Sequence, residues 1–253
     1  CPATTTGKPL SPMKVVLDIA GAEASADSLH GEEISPDVLW ACTSCGACVE
    51  ECPVYIDQLG AIVDLRRHLV AEGEIRGSAQ GALRSVGAAG NPWGMPREER
   101  SAWSEGLDVP TIEEEPSPEV LFWIGCAGSY DRRSRKVTEA MVRILKAAGV
   151  RFAILGKSEC CTGDPARRMG DEFTYTELAG TNIETLSAAS FERILTTCPH
   201  CFNAIANEYP DLGGDYEVVH HSEFIEELIS TGRLELDGVA AIRGTFHDPC
   251  YLA

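Results

Sequence analysis

Cys42-Thr43-Ser44-Cys45-Gly46-Ala47-Cys48-Val49-Glu50-Glu51-Cys52-Pro53 places four thiols in one short run and closes it with a chain-turning proline. The spacing is C-x2-C-x2-C-x3-C-P, which suits an iron–sulfur cube. Three thiolates two residues apart wrap one face of the cube, and the fourth, after a longer step, leaves in another direction. Gly46 and Ala47 are small, so backbone N–H groups can approach the cluster sulfides. Zinc is the main rival, because paired C-x-x-C units also bind it. A zinc site usually sets its second pair about a dozen or more residues away. Iron–sulfur chemistry is therefore the expectation.

Outward from this run, residues 1 to about 34 read as loop-rich, with Thr4-Thr5-Thr6, Gly7, two early prolines and one short apolar stretch, Val15-Val16-Leu17. Ser35-Pro36-Asp37 is a helix start, serine capping and proline in the first turn. Ile62, Leu65, Leu69 and Val70 repeat at helical spacing, with Arg66, Arg67 and His68 on the other face. A second helix is expected from about Ala79 to Ala89. Residues 1–90 thus form a small, mostly helical cluster domain. From 91 to 118, Pro92, Pro96, Pro110, Pro116 and Pro118 with Glu113-Glu114-Glu115 disfavour regular structure and predict a linker. Trp93 and Trp103 could pin it to a surface.

From Glu119 the texture alternates strand and helix. Strands are expected at Val120–Ile124, Phe152–Leu155, Ile194–Thr197 and Glu217–Val219. Helices are expected at about Arg133–Ala148, Asp171–Ala189, after Cys201, and at Glu223–Ser230. Such alternation argues for a parallel sheet covered on both faces over residues 119–253. The fold class is α+β overall: a helical cluster domain followed by an α/β parallel-sheet domain.

The chain has 253 residues, enough for one large or two ordinary domains. Its 39 acidic and 21 basic residues give a net charge of −18, which repels phosphate backbones and argues against a nucleic-acid partner. The acidic surface either steers a basic redox partner or serves solubility. Eleven cysteines clustered at ligand spacings point to a reducing, cytoplasmic setting rather than to disulfides. No apolar run reaches the ~18–20 residues of a membrane span. The chain starts Cys1-Pro2 and stops at His247-Asp248-Pro249-Cys250-Tyr251-Leu252-Ala253 as a new motif opens, so it reads as an internal piece of a longer protein.

A second cysteine set falls where strands hand over to loops or helices. Cys126 follows the first strand, Cys160-Cys161 the second, and Cys198-x-x-Cys201 the third. In a parallel sheet these points share the carboxyl edge, where open α/β folds place ligands. A lone cysteine there would be a core residue more often than a ligand. Five at successive strand ends, with a Cys-Cys pair and a C-x-x-C, favour a metal site.

Thirty-three residues separate Cys126 from Cys160, and thirty-six separate Cys161 from Cys198. This pattern resembles the CCG cysteine-rich domain of heterodisulfide reductase subunits and related iron–sulfur oxidoreductases. The segments WACTSCGACVEECPVYIDQLGAIVDLRRHL, GNPWG, FWIGCAGSYDRR, CTGDPARR and TCPHCFN are most similar to one branch. It holds heterodisulfide reductase-like, membrane-associated proteins that take electrons from electron-transfer flavoprotein and reduce menaquinone. The resemblance implies a non-cubane [4Fe-4S] cluster on Cys126, Cys160, Cys161, Cys198 and Cys201, with Cys250 belonging to a second CCG motif. It also implies paired ferredoxin-type motifs, in which Cys42, Cys45, Cys48 and Cys1 hold one cubane and Cys52 serves another, or Cys52 is itself the fourth ligand. The implied partners are a flavoprotein electron donor, a quinone or disulfide acceptor, and a membrane reached through an amino-terminal domain, on its cytoplasmic face. Open alternatives are the iron–sulfur subunit of a glycolate, lactate or glycerol-3-phosphate dehydrogenase, a non-catalytic electron carrier, and a zinc-stabilised interaction module.

Other residues have weaker claims. His220-His221 follow a strand at the same edge and could move protons at a quinone or disulfide site, or merely cap and pack. His200 lies inside the C-x-x-C and either serves a cluster or faces solvent. Arg132, Arg133, Arg135 and Lys136 open a helix and would raise a nearby cluster's potential or form a solvated face. Arg167 and Arg168, just after the Cys-Cys pair, are better placed for tuning, and His247-Asp248 lack context. Gly125, Gly128 and Gly163 flank ligands and permit close backbone approach, but no G-x-G-x-x-G follows a strand.

Overall fold

The computed structural model describes residues 1–22, 34–75, 77–238, 243–245, 247 and 249–252. The chain divides into two compact units. One comprises Cys1–Gly81 with Pro165–Glu172, the other Ala82–Asp164 with Phe173–Ala253.

The first unit is helical: α1 (Pro2–Thr5), α2 (Pro12–Gly21), α3 (Pro36–Trp40), α4 (Ala47–Glu50) and α5 (Gln58–Ala71). The start at Ser35-Pro36 is found as expected, with Pro36 opening α3. The loop-rich reading of the amino terminus fails over the described residues, because Ser11-Pro12 carries the same signal. Ser11 accepts a hydrogen bond from the Lys14 N–H, and Pro12 occupies the first helical position. Val15 of α2 then joins Ala3, Leu10, Ile34, Leu39, Ile62 and Leu69 in one core. Residues 23–33 lie outside the described set. Asp57 caps α5 through the Gly60 N–H at 2.7 Å. Arg66 departs from the expected outward face: it is 4 % exposed.

The second unit is built on a four-stranded sheet. After α6 (Ser78–Ala89) and a 3₁₀ helix (Arg97–Ser104) come β1 (Val120–Trp123), α7 (Gly125–Tyr130), α8 (Arg132–Ala147) and β2 (Phe152–Ala153). The chain next forms α9 (Asp164–Met169), nearly all of which belongs to the first unit. Then follow α10 (Glu172–Ser187), β3 (Arg193–Thr196), α11 (Pro199–Asn203), β4 (Val218–His220) and α12 (His221–Ser230). Strand order is β2-β1-β3-β4, and every pairing is parallel, with Trp123 level with Thr196 and Thr196 level with His220. All of β1 is buried, as expected for a central strand between helical layers. Phe122, Met141, Leu145, Phe152, Leu195 and Phe224 share its core. The third helix of this unit's expected pattern starts earlier than read: α11 opens at Pro199, so Cys201 lies inside it.

Residues 91–118 carry more structure than their prolines suggested. The 3₁₀ helix forms within them, since proline bars α-helical and central-strand interiors but tolerates short turns. Trp103 packs into the sheet core, whereas Trp93 is exposed. Thr111 bridges to Ile154 beside β2. Asn91, fully buried, closes a tight loop: its Oδ1 accepts from Trp93 and Met95 N–H, and its Nδ2 donates to the carbonyls of Ala89 and Met95.

Candidate iron–sulfur sites

In the first unit, the Cys42–Cys52 run folds as an irregular loop into the single turn α4. Ser44 and Gly46 both adopt positive φ, 55° and 73°, which lets consecutive cysteines turn to one side. The Ser44 N–H donates to the Cys42 sulfur at 3.4 Å. Burial, together with the neighbouring Cys42 and Cys45 thiols, pushes the Cys48 thiol up. Those three cysteines therefore share one electrostatic neighbourhood. Cys52 behaves oppositely: the N–H groups of Ile56, Val54 and Tyr55 bring its thiol down, Ile56 N at 3.3 Å from the sulfur. A cavity of about 410 Å³ is lined by Cys1, Cys48 and Cys52 with Met13, Val16 and Gln58. Both residues considered for the fourth ligand thus border the same space as Cys48.

The organiser of this loop is Arg66. Its guanidinium donates to Leu39 O at 2.6 Å, Cys42 O at 2.6 Å, Ser44 Oγ at 3.2 Å and Arg168 O at 2.8 Å, and it lies over the Trp40 ring. Buried carbonyls need donors, and one side chain supplies several.

In the second unit, β1, β2 and β3 run parallel, so Cys126, Cys160-Cys161 and Cys198 all emerge beyond the carboxyl ends of adjacent strands. Cys126 lies in α7, Cys198 caps α11, and Cys201 sits one turn into it. The thiols are arranged in pairs. Cys126 and Cys161 lie close enough to perturb each other's titration, as do Cys198 and Cys201. Within each pair one thiol is lowered and the other raised by its neighbour, with the charge of Arg100 helping to favour the Cys126 thiolate. Cys198 falls to about 6, the Cys201 thiol and then His200 contributing. Cys160 is pushed up to about 11 by burial, its sulfur 3.1 Å from Asn182 Oδ1. Gly125 joins the two pairs: at φ 72°, a Cβ there would stand 3.1 Å from the Cys201 sulfur.

Among the described residues, no three Cys, His, Asp or Glu side chains converge closely enough to hold a single metal ion. A cluster with several irons and sulfides spreads its ligands more widely than one ion does. Five cysteines at one sheet edge, with a backbone kept bare at Gly125, fit such a group by the chemistry of their donors.

Three supporting residues escaped the sequence reading. Asn182 is fully buried; its Nδ2 donates to Cys161 O and Tyr209 OH, and Tyr209 OH donates to Thr162 O. The faint signal was an asparagine on the apolar stripe Tyr175, Ala179, Leu186 of α10. Arg100 and Glu159 form a buried ion pair at 2.5 Å, and Glu159 also accepts from the N–H groups of Ile124 and Gly125. Their fifty-nine-residue separation left no local signal.

The histidines sit at the same edge. His220 is buried, level with Thr196, and linked to Ser222 Oγ at 2.8 Å and to His221 at 3.1 Å. Burial lowers both, His221 to about 4 with His220 adding to the effect. His200 bonds Asp164 at 2.8 Å and stacks near Tyr251. Arg132, Arg133 and Lys136 are exposed, which is the solvated-face reading. Arg167 lies 4.0 Å from Glu172. Cys250 is exposed, and Asp248 lies outside the described residues.

The cysteine-rich domain family CCG matches residues 120–206, the span that carries all five of these thiols. A protein named "Probable iron-sulfur-binding oxidoreductase FadF" from Bacillus subtilis is 38 % identical across the whole chain. The chain carries a CCG cysteine-rich domain. The EtfAB:quinone oxidoreductase of Syntrophomonas wolfei is 36 % identical over 100 % of this chain and 41 % of its own length. A component of the dihydromethanophenazine:CoB–CoM heterodisulfide reductase of Methanosarcina barkeri is 30 % identical over 87 % of this chain and 54 % of its own. The chain spans 43 % of the FadF protein's length. No solved structure matches it. Among the described residues, no helix is long and apolar enough to cross a membrane.

Proposed function

We propose that this chain is the electron-relay portion of an oxidoreductase that takes electrons from a flavoprotein and delivers them to a quinone-type acceptor, a disulfide being the second choice. Iron–sulfur clusters supply the one-electron steps between the two-electron partners. The observation that carries the reading is that Cys126, Cys160-Cys161 and Cys198-x-x-Cys201 all follow the carboxyl ends of adjacent parallel strands. Names of the relatives support the partners: one is an EtfAB:quinone oxidoreductase, another a membrane-anchored ferredoxin.

Cys42, Cys45 and Cys48, with Cys1 or Cys52 completing the set, would hold a cubane cluster. Cys126, Cys160, Cys161, Cys198 and Cys201 would hold a second [4Fe-4S] group of non-cubane type, and Cys250 would serve a further CCG motif. The domain assignment that follows is a cluster domain over 1–90, a connecting segment over 91–118 and the CCG domain over 119–253. The protein's part is to exclude water, fix the thiols and present N–H donors to sulfur, as Ser44 and Ile56 do. His220 and His221, both lowered by burial, would move protons at the acceptor site. Attachment on the cytoplasmic face of a membrane completes the proposal.

The test is anaerobic purification with iron and sulfide quantified and EPR recorded on reduction and on oxidation. Two clusters predict about eight irons and eight sulfides. Cys198→Ser should remove about four of each and leave the reduced-cubane signal. Zinc without labile sulfide would refute the proposal in favour of an interaction module.

A further inference from the structure

Arg100 sits in a segment whose sequence suggested only a connector, yet its side chain is 3 % exposed and its partner Glu159 is 1 % exposed. The pair is not symmetric with respect to the thiols. Glu159 Oε1 accepts from Arg100 and from the Gly125 N–H at 2.8 Å, and its Oε2 accepts from the Ile124 N–H at 2.9 Å. Three donors therefore answer the carboxylate's charge. The guanidinium has one carboxylate contact, and both Nη1 and Nη2 lie 3.8 Å from the Cys126 sulfur. Its Nε has no hydrogen-bond partner among the described residues, and the Tyr130 ring lies 5.8 Å from its carbon. A permanent positive charge is thus held, dry, against one sulfur of the CCG set.

We propose that Arg100, clamped by Glu159, is a positioning residue that raises the reduction potential of the cluster carried by Cys126. This rests on the reading that the CCG cysteines hold a cluster. Reduction adds one electron to that group and makes or breaks no bond to the protein. A fixed cation next to a ligand sulfur stabilises the added charge, more so where water is excluded. Glu159 has a second task, tying the Ile124–Gly125 turn so that Cys126 meets the guanidinium. The segment 97–104 is then part of the redox site.

The experiment is a potentiometric titration of the cluster-loaded protein followed by EPR, with the cubane signal as internal reference. Arg100→Gln is expected to shift the CCG cluster's reduction equilibrium about tenfold toward the oxidised form, equivalent to about 59 mV for one electron. Arg100→Lys should restore most of that shift, and the cubane midpoint should not move. Arg100→Gln leaves Glu159 unpaired and could fail to load, so Arg100→Gln/Glu159→Gln is measured beside it. It keeps an acceptor for the backbone N–H groups and should shift in the same direction by a smaller factor. Unmoved potentials in variants that load normally would overturn the proposal. A double variant that loads no cluster also overturns it, because the pair would then build the site rather than tune it. If the wild type shows only cubane iron, the underlying cluster assignment fails, an outcome distinguishable by iron count alone.

Discussion

Replacing Arg66 by methionine should loosen the first cysteine loop more than any other single change outside the cysteines. Methionine keeps most of the aliphatic bulk, so the loss is chiefly of hydrogen bonds. Arg66 donates twice to Leu39 O, once to Cys42 O, once to Ser44 Oγ and once to Arg168 O. Each buried acceptor left without a donor costs about 1–3 kcal/mol. Some of these carbonyls will find water or relax, so the sum is not additive, and about 3–5 kcal/mol is expected for the substitution. That is a large part of the ~5–15 kcal/mol stability of an ordinary domain. The assay is urea unfolding followed by circular dichroism, with iron content measured after gel filtration. Arg66→Lys should recover only part of the loss, since one ammonium cannot reach four acceptors in a planar fork. A urea midpoint within error of wild type, with full iron retention, would refute the view that Arg66 organises the loop.

Gly125→Ala forces a side chain into positive φ and to 3.1 Å from the Cys201 sulfur. It should cost about 1–3 kcal/mol and lower iron at the second site while the first site's EPR signal persists. Tyr209→Phe removes the hydroxyl that serves both Asn182 and the Thr162 carbonyl. A loss of about 1–3 kcal/mol in the unfolding free energy is expected, and a neutral result would mean this contact does not hold the Cys-Cys turn. For His221, the unfolded chain binds a proton near 6.5 and the folded chain only near 4. The unfolded state takes up more protons between these values, so stability is full above about pH 6.5 and falls as pH drops toward 4. His221→Gln should flatten the melting temperature over that window, and an unchanged slope would rule the histidine out as a source of acid sensitivity.

The sheet was legible because its strands are short apolar runs that alternate with amphipathic segments, and their order in the chain already places the cysteines at strand ends. Cys126, Cys160-Cys161 and Cys198 do follow the carboxyl ends of adjacent parallel strands. Where the reading failed, polar residues were doing what position in the sequence could not announce. Arg66 lies between Leu65 and Arg67 in a helix, and periodicity alone put it with the solvent-facing charges. The carbonyls of Leu39 and Cys42, far away in sequence, draw it inward. Asn182 and Glu159 are buried for the same reason: each answers backbone groups freed where the chain leaves a strand to present a thiol. Ser11-Pro12 was a different failure, a local cap signal hidden by the surrounding threonines and prolines.

Cysteines placed at the end of a parallel sheet have a structural cost, because each such turn leaves N–H and C=O groups without ladder partners. The chain meets that cost with side chains borrowed from elsewhere. Asn182 and Tyr209 serve the Cys160–Thr162 turn, Glu159 serves the Ile124–Gly125 turn, and the Gly90 carbonyl accepts from the Cys161 N–H at 2.8 Å. Gly90 is fixed in turn by the Asn91 loop. The chain from Gly90 onward is therefore under two constraints at once: Gly90 presents its carbonyl to the Cys160-Cys161 turn, and the 3₁₀ helix brings Arg100 to Cys126. A regular helix through 91–104 could not satisfy both, since it would spend its carbonyls internally. Irregular backbone, punctuated by Pro92, Gly94 and Pro96, is the form that can.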